Sequence, residues 1–410
     1  MIRLKYVVDI FGRIGFRGYT EQDLVGENEG AITLSPSNIQ NMKMDYSKCS
    51  FLTWQKYYES PEIKIKNGDV LFVKTGSTYG KVGYVENLPM EATINPQLVV
   101  FKNISMNSKL LFYMLQMSFV KDQCELAVVG GTIPTMSQVK IGNIYIPFPS
   151  LVEQQRIAEF LDRECGKIDG LKADIQAQID TLEQYKRSVI TEAVTHGLNP
   201  SAPMKDSGAG WMPLIPLHWK ADKLKFHLRQ RGIKNQIDKQ VLSLYREYGI
   251  VPKDSRDDNH NVTSEDVSDY RYVRVGDFVV NKMKAWQGSV AVSNYEGIVS
   301  PAYFVYEFSD DLINKRYFHY LMRNKTYATE FRRLSGGIRE GQWDLPSEAL
   351  NNTIILLPPL DEQQEIADYL DNKCAEIEQI IADKKTQIET LDGYKKSLIY
   401  EYVTGKKEVE

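Results

Sequence analysis

Three kinds of short stretch in this chain place cations, hydroxyls and aromatic rings where turns would expose them. Lys74-Thr75-Gly76-Ser77-Thr78-Tyr79-Gly80-Lys81 holds two glycines between two lysines. Lys74, Thr75, Ser77, Tyr79 and Lys81 are donors of the kind that grip phosphate oxygens. Lys282-Met283-Lys284-Ala285-Trp286-Gln287-Gly288 interleaves two cations with an indole and an amide. Lys282 and Lys284 suit phosphates, Gln287 or Lys284 suits a base edge, and Trp286 adds an aromatic surface. A further glycine stretch follows in each half. Val128-Val129-Gly130-Gly131-Thr132-Ile133-Pro134-Thr135 carries Thr132, while Arg332, Arg333 and Arg339 flank Ser335-Gly336-Gly337-Ile338. These residue types support contact with nucleic acid rather than bond making, and each stretch also fits a plain solvent loop.

Motifs for catalysis fail on spacing. A phosphate-binding loop needs four residues between its glycines and Ser or Thr after the lysine, whereas Gly76 and Gly80 enclose three and Val82 follows Lys81. Ser300-Pro301-Ala302-Tyr303 and Asn95-Pro96-Gln97-Leu98 resemble the tetrapeptide that holds adenine in amino-methyltransferases, but both lack the second proline. A strand preceded by proline accounts for each. The histidines His196, His218, His227, His260 and His319 form no pair at metal-ligand spacing. No Gly-x-Ser-x-Gly elbow appears.

The elements around these stretches repeat. Val70-Leu71-Phe72-Val73 and Val82-Gly83-Tyr84-Val85 are β-branched and aromatic runs on either side of the first loop, which predicts a hairpin. Leu98–Phe101 and Ile144–Pro147 read as strands and Leu110–Cys124 as a helix. Gly276-Asp277-Phe278-Val279-Val280-Asn281-Lys282 echoes Gly68-Asp69-Val70-Leu71-Phe72-Val73-Lys74, and Gly288 matches Gly80 at the same offset. Residues 197–216, rich in glycine and proline, read as a linker.

The strongest repeat is helical. Residues 151–195 return as 360–404 with 23 of 45 positions identical. Leu161, Ile168, Ile175, Leu182 and Val189 fall seven apart, with Ile157, Leu171 and Ile179 widening the stripe; Leu370, Ile377, Leu391 and Leu398 keep the frame, and Lys384 interrupts it. A seven-residue apolar period predicts a left-handed coiled coil. The economical partner for each helix is the other copy, packed antiparallel with a globule at either end. Ser150 and Glu153 supply a capping box for the first helix.

Composition bounds the rest. A 410-residue chain with 42% hydrophobic and 25% charged residues is ordinary for a globular protein of two or three domains. No apolar run reaches 18 residues, so a membrane span is not expected and a cytoplasmic setting is. Cys49, Cys124, Cys165 and Cys374 show no paired spacing; Cys165 and Cys374 are equivalent helix positions suited to small buried thiols. The net charge of −4 is unevenly spread, since residues 1–150 and 201–358 are mildly basic and the helical segments are acidic. Basic globules beside acidic helices fit nucleic-acid contact by the globules.

Leu-x-Glu-Gln-Gln-x-Ile-Ala opening each helix, the endings Tyr185-Lys186-Arg187-Ser188-Val189-Ile190 and Tyr394-Lys395-Lys396-Ser397-Leu398-Ile399, and the lead-in Gly210-Trp211-Met212-Pro213-Leu214-Ile215-Pro216-Leu217-His218-Trp219 resemble the specificity subunit of a type I restriction-modification system. The resemblance covers essentially the whole chain, although the first globule begins on Arg3-Leu4-Lys5 without a counterpart of Trp219. It implies two mixed α+β target recognition domains in tandem, joined by two long antiparallel coiled-coil helices. The boundaries would be 1–149 and 199–358 for the recognition domains and 150–198 and 359–410 for the helices. It further implies a subunit without chemistry of its own that reads bipartite duplex DNA. Two adenine-N6 modification subunits, which carry S-adenosylmethionine, would dock on it, with restriction subunits joining through them. A self-sufficient adenine methyltransferase and a coiled-coil adapter without a DNA role are the competing readings.

Overall fold

The computed structural model describes residues 1–40, 42–128, 134–246, 248–255, 263, 264, 266–337 and 343–409. Thr132, Arg339 and His260 lie outside the described residues, as do residues 129–133 of one later glycine stretch and Ile338 of the other. The chain divides into two units, one of residues 1–175 and 385–410 and one of residues 176–384. Each unit therefore holds a globule together with part of both long helices.

In the first unit a four-stranded antiparallel sheet runs in the order Asp9–Gly12, Leu98–Lys102, Val70–Val73, Val82–Tyr84. Its middle strands are apolar at every position from Val70 to Val73 and from Leu98 to Phe101 because both faces are covered. Val70, Phe72, Val99 and Phe101 point into a core shared with the helices, while Leu71, Val73, Leu98 and Val100 point into a second core. That alternation is the period of two expected of a strand. The second core is closed by a sheet in the order Ala92–Ile94, Gly30–Leu34, Ser50–Thr53, Leu24–Val25, whose first pair is parallel. Two helices, Ser108–Met114 and Ser118–Ala127, stand where one helix over Leu110–Cys124 was expected. The first ends at Met114, and Met117 opens the second with extended backbone.

The second unit repeats the scheme. Leu228–Arg231, Tyr303–Phe308, Phe278–Asn281 and Val290–Val292 form a four-stranded antiparallel sheet in the same order. Phe278, Val280 and Tyr306 enter the core shared with the helices and Val279, Ala291 and Val305 the other. Residues 197–216 are not a simple linker: Met204–Ala209 pairs antiparallel with Met212–Pro216, and Met212, Ile215 and Trp219 are buried. Proline is tolerated there because a two-stranded hairpin has an outer edge on each strand, where a missing N–H breaks no ladder bond.

The long helices are Leu151–His196 and Leu360–Val403. In the first unit Lys395 reaches Asp169 at 2.7 Å, Lys172 pairs with Asp392, and the Phe160 and Tyr402 rings stand 4.2 Å apart. In the second, Lys186 pairs with Glu378 and Lys384 donates to Gln178 at 2.5 Å. One number rises as the other falls, so the helices are antiparallel within each unit. Lys384, which breaks the apolar frame, thus bonds a glutamine of the partner helix. Leu161, Ile168, Leu370, Ile377 and Leu398 are buried, while Ile175, Leu182, Val189 and Leu391 are half-buried. Leu171 departs from expectation: it is 53% exposed, because the contact is narrower than the sequence stripe and position 171 turns off its edge.

Candidate functional site

The first loop connects Val70–Val73 to Val82–Tyr84, so it is a hairpin turn and not the strand-to-helix loop of a nucleotide site. Gly76 and Gly80 have φ of +107° and +81°, a region that favours glycine. Gly80 N–H donates to Val73 O at 2.9 Å and closes the turn. Lys74 N–H donates to Gln97 O and Lys74 O accepts from Met136 N–H, both at 2.9 Å. Thr75 bridges to Thr135, and Gly76 N–H donates to Pro134 O at 3.0 Å. The loop is thereby sewn to the turn after Asn95 on one side and to the chain following the second glycine stretch on the other. Ser77 and Thr78 are exposed; Lys74, Thr75 and Lys81 are half-buried; the Tyr79 ring packs on the core shared with the helices. Burial holds the Lys74 ammonium below the ordinary lysine range.

The second unit builds the same backbone scheme with other side chains. Lys282 N–H donates to Ala302 O at 3.1 Å, Lys282 O accepts from Leu345 N–H at 2.9 Å, and Gly336 bridges to Asp344. Gly288, at φ +85°, shares the positive φ of Gly80, but its N–H donates to Ala285 O at 2.7 Å. The two proline tetrapeptides are therefore strand-leading turns that hold these loops: Leu98 N–H returns to Asn95 O and Tyr303 N–H to Ser300 O. Lys284 and Gln287 are exposed and Trp286 is half-buried. The Trp286 Nε1–H donates to Met283 O at 3.0 Å, and its ring stands 5.5 Å from that of Trp343. The Arg332 guanidinium lies 5.8 Å from the Trp343 ring centre. Two residues are already engaged. Lys282 pairs with Asp344 at 3.2 Å, and Arg333 forks onto the buried Glu330 with two bonds of 2.7 Å.

Trp343 and Asp344 were not anticipated from sequence. Their one signal was an aromatic and a carboxylate just beyond a glycine stretch. Tyr113 and Tyr320 were also missed. Each donates to the long helix of its unit, Tyr113 to Asp162 at 3.0 Å and Tyr320 to Asp371 at 2.8 Å, at positions equivalent in the repeat. Lys109 joins Asp162 at 3.1 Å, and Arg316 spans Asp368 and Asp371. Burial raises both phenols. Cys165 and Cys374 are buried beside these stations; burial lifts Cys165 to about 11 and raises Cys374. No group of three metal-ligating side chains occurs among the described residues, and none of their helices is long and apolar enough to cross a membrane.

A family model described as the type I restriction modification DNA specificity domain matches residues 23–181 and again 233–390. Among characterised relatives, the chain is 27% identical over 376 residues to the type I restriction enzyme MjaVIII specificity subunit of Methanocaldococcus jannaschii, covering 85% of this chain and 81% of that one. It is 24% identical over 268 residues to the EcoKI specificity subunit of Escherichia coli K12, covering 64% and 54%. A solved chain from work on complex assembly and conformational transition of the type I R-M system superimposes with a TM-score of 0.68 at 16% identity, covering 99% of this chain and 97% of that one.

Proposed function

Since this chain belongs to the type I restriction modification DNA specificity family and carries the family's domain twice, we propose that its two recognition domains each read one half of an interrupted duplex target. The chain is the DNA-specificity subunit of a type I restriction-modification system and not its catalytic component. The observation that carries the bipartite reading is the pair of loop assemblies. Both units hang a hairpin loop from the same backbone bonds, at Lys74 and at Lys282, yet fill it with different side chains. A conserved frame with exchanged surface groups suits two half-sites of different sequence.

Lys74, Thr75, Ser77, Tyr79, Lys81 and Thr132 would serve one half-site. Lys282, Lys284, Trp286, Gln287, Arg332, Arg333 and Arg339 would serve the other. Lys284, Gln287 and Arg332 are exposed and suited to direct contact, whereas the Arg333 fork onto Glu330 favours a fixed charge behind the contact surface. Two modification subunits, each bringing S-adenosylmethionine, would dock on the helices, and restriction subunits would join through them in the cytoplasm. Exposed apolar side chains at equivalent positions support docking: Leu171 and Tyr394 in the first unit, Ile380 and Tyr185 in the second.

Co-expression with the neighbouring modification subunit in a methylation-free host, followed by genome-wide mapping of N6-methyladenine, tests this reading. A single interrupted motif methylated on both strands is expected. Methylation without this chain, or a continuous motif, would overturn it.

A further inference from the structure

The Trp286 indole is a surface without a free donor. Its Nε1–H is taken by Met283 O, Trp343 backs it at 5.5 Å between ring centres, and Arg332 lies against Trp343. What the indole can offer a neighbour is apolar area. It is set in the loop whose exposed polar members, Lys284 and Gln287, flank it with a cation and an amide, beside the exposed Met283. An apolar ring among phosphate-seeking groups has few complements on duplex DNA, because base edges present hydrogen-bonding atoms almost everywhere. The exception is the C5-methyl group of thymine in the major groove. The corresponding position of the first loop is Thr78, exposed and without a ring, so the feature belongs to the second unit alone.

We infer that Trp286, braced by Trp343, reads a thymine methyl group in the half-site of the second unit, with Lys284 and Arg332 meeting adjacent phosphates. The inference rests on the reading of the chain as a DNA-specificity subunit. It fixes the chemical character of one base pair in the target, an A·T pair with its methyl toward the loop.

The test uses the assembled modification complex on a duplex bearing the mapped target, with each thymine replaced in turn by deoxyuridine, which differs only by that methyl. One replacement is expected to slow methylation by roughly fourfold, the worth of one buried methyl group. Trp286→Ala should be indifferent to the same replacement and should accept other bases at that position. The other half-site should stay strict, which shows the variant folded, and Trp286→Phe should keep the thymine preference. Deoxyuridine tolerated at every thymine by the unsubstituted complex would overturn the inference while leaving the specificity reading intact. Relaxation by Trp286→Ala with deoxyuridine still tolerated would point to insertion between base steps and also overturn it. Absence of any interrupted motif with the unsubstituted chain would remove the specificity reading and this inference together.

Discussion

Trp219 and Glu362 meet across 143 positions of sequence, the indole Nε1–H donating to Glu362 Oε1 at 3.0 Å, while His218 Nε2 takes the other oxygen at 2.7 Å. Glu362 is the glutamate of the repeated Leu-x-Glu-Gln-Gln segment. Its counterpart Glu153 accepts instead from Ser150 N–H at 2.8 Å and Ser150 Oγ–H at 2.7 Å, which caps its own helix. The residue equivalent to Ser150 is Pro359, which has neither donor. One carboxylate position therefore caps a helix in one copy and clasps a lead-in segment in the other. Trp219 is fully buried, so Trp219→Ala should destabilise the second unit by about 3–5 kcal/mol. Ser150→Ala removes only a cap and should cost the first unit far less. Hydrogen exchange resolved by unit checks this; equal loss in both units would sink it.

The glutamine after that glutamate explains why the segment recurs. Gln363 is fully buried, donates to Leu312 O at 2.9 Å and Pro358 O at 3.0 Å, and accepts from Asn314 N–H at 2.8 Å. Gln154 likewise donates to Pro149 O and accepts from Asn107 N–H. Gln363→Leu keeps the volume and strands three backbone groups, each costing about 1–3 kcal/mol when buried unpaired. A loss of at least about 3 kcal/mol is expected in urea titration. Gln364→Ala, next door and exposed, should cost under about 1 kcal/mol. If the two variants melt alike, the buried glutamine is not what joins globule to helix.

The repeat, the strands and the heptad stripe were legible because period and identity survive in a single sequence. The hairpin at 70–84 was legible because glycine and β-branched residues specify it locally. What was not legible depends on contacts distant in sequence. The Trp219 clasp needs a glutamate 143 positions on, and the hairpin at 204–216 read as a linker because proline and glycine mark breaks without revealing an edge strand. Leu171 looked like core because a stripe cannot show how wide its partner is. The loop residues were chosen by type, but that Arg333 is tied to Glu330 and Lys282 to Asp344 required the fold.

Lys74 is a cation that a phosphate would stabilise, since burial alone lowers its affinity for a proton. A lysine whose folded pKa lies below its unfolded value of about 10.5 costs stability below the folded pKa. That cost fades as pH rises through the folded pKa toward the unfolded one. Lys74→Met should therefore raise the unfolding midpoint at pH 7, with an advantage that shrinks toward pH 10. On target duplex the same variant should bind more weakly, and the slope of log affinity against log salt should fall by about 1. An unchanged slope would exclude a phosphate contact at this position.

His319 should make the second unit acid-sensitive. Its Nδ1 accepts from Val292 N–H at 3.3 Å, so the ring must be neutral at that nitrogen. Burial, aided by the Arg323 guanidinium, pushes its pKa down to about 4 from 6.5. The folded value lies below the unfolded one, so this histidine adds no cost above pH 6.5. Stability falls as pH drops from 6.5 toward 4, because the unfolded chain takes the proton first. The full shift corresponds to about 3 kcal/mol as an upper bound, reduced because part of the side chain still meets solvent. His319→Asn keeps an acceptor and cannot titrate. Its second unit should start less stable but lose less between pH 6.5 and 4.5, when unfolding free energies are compared across that range. A variant that follows the parent slope through the whole range would assign the acid sensitivity to other groups.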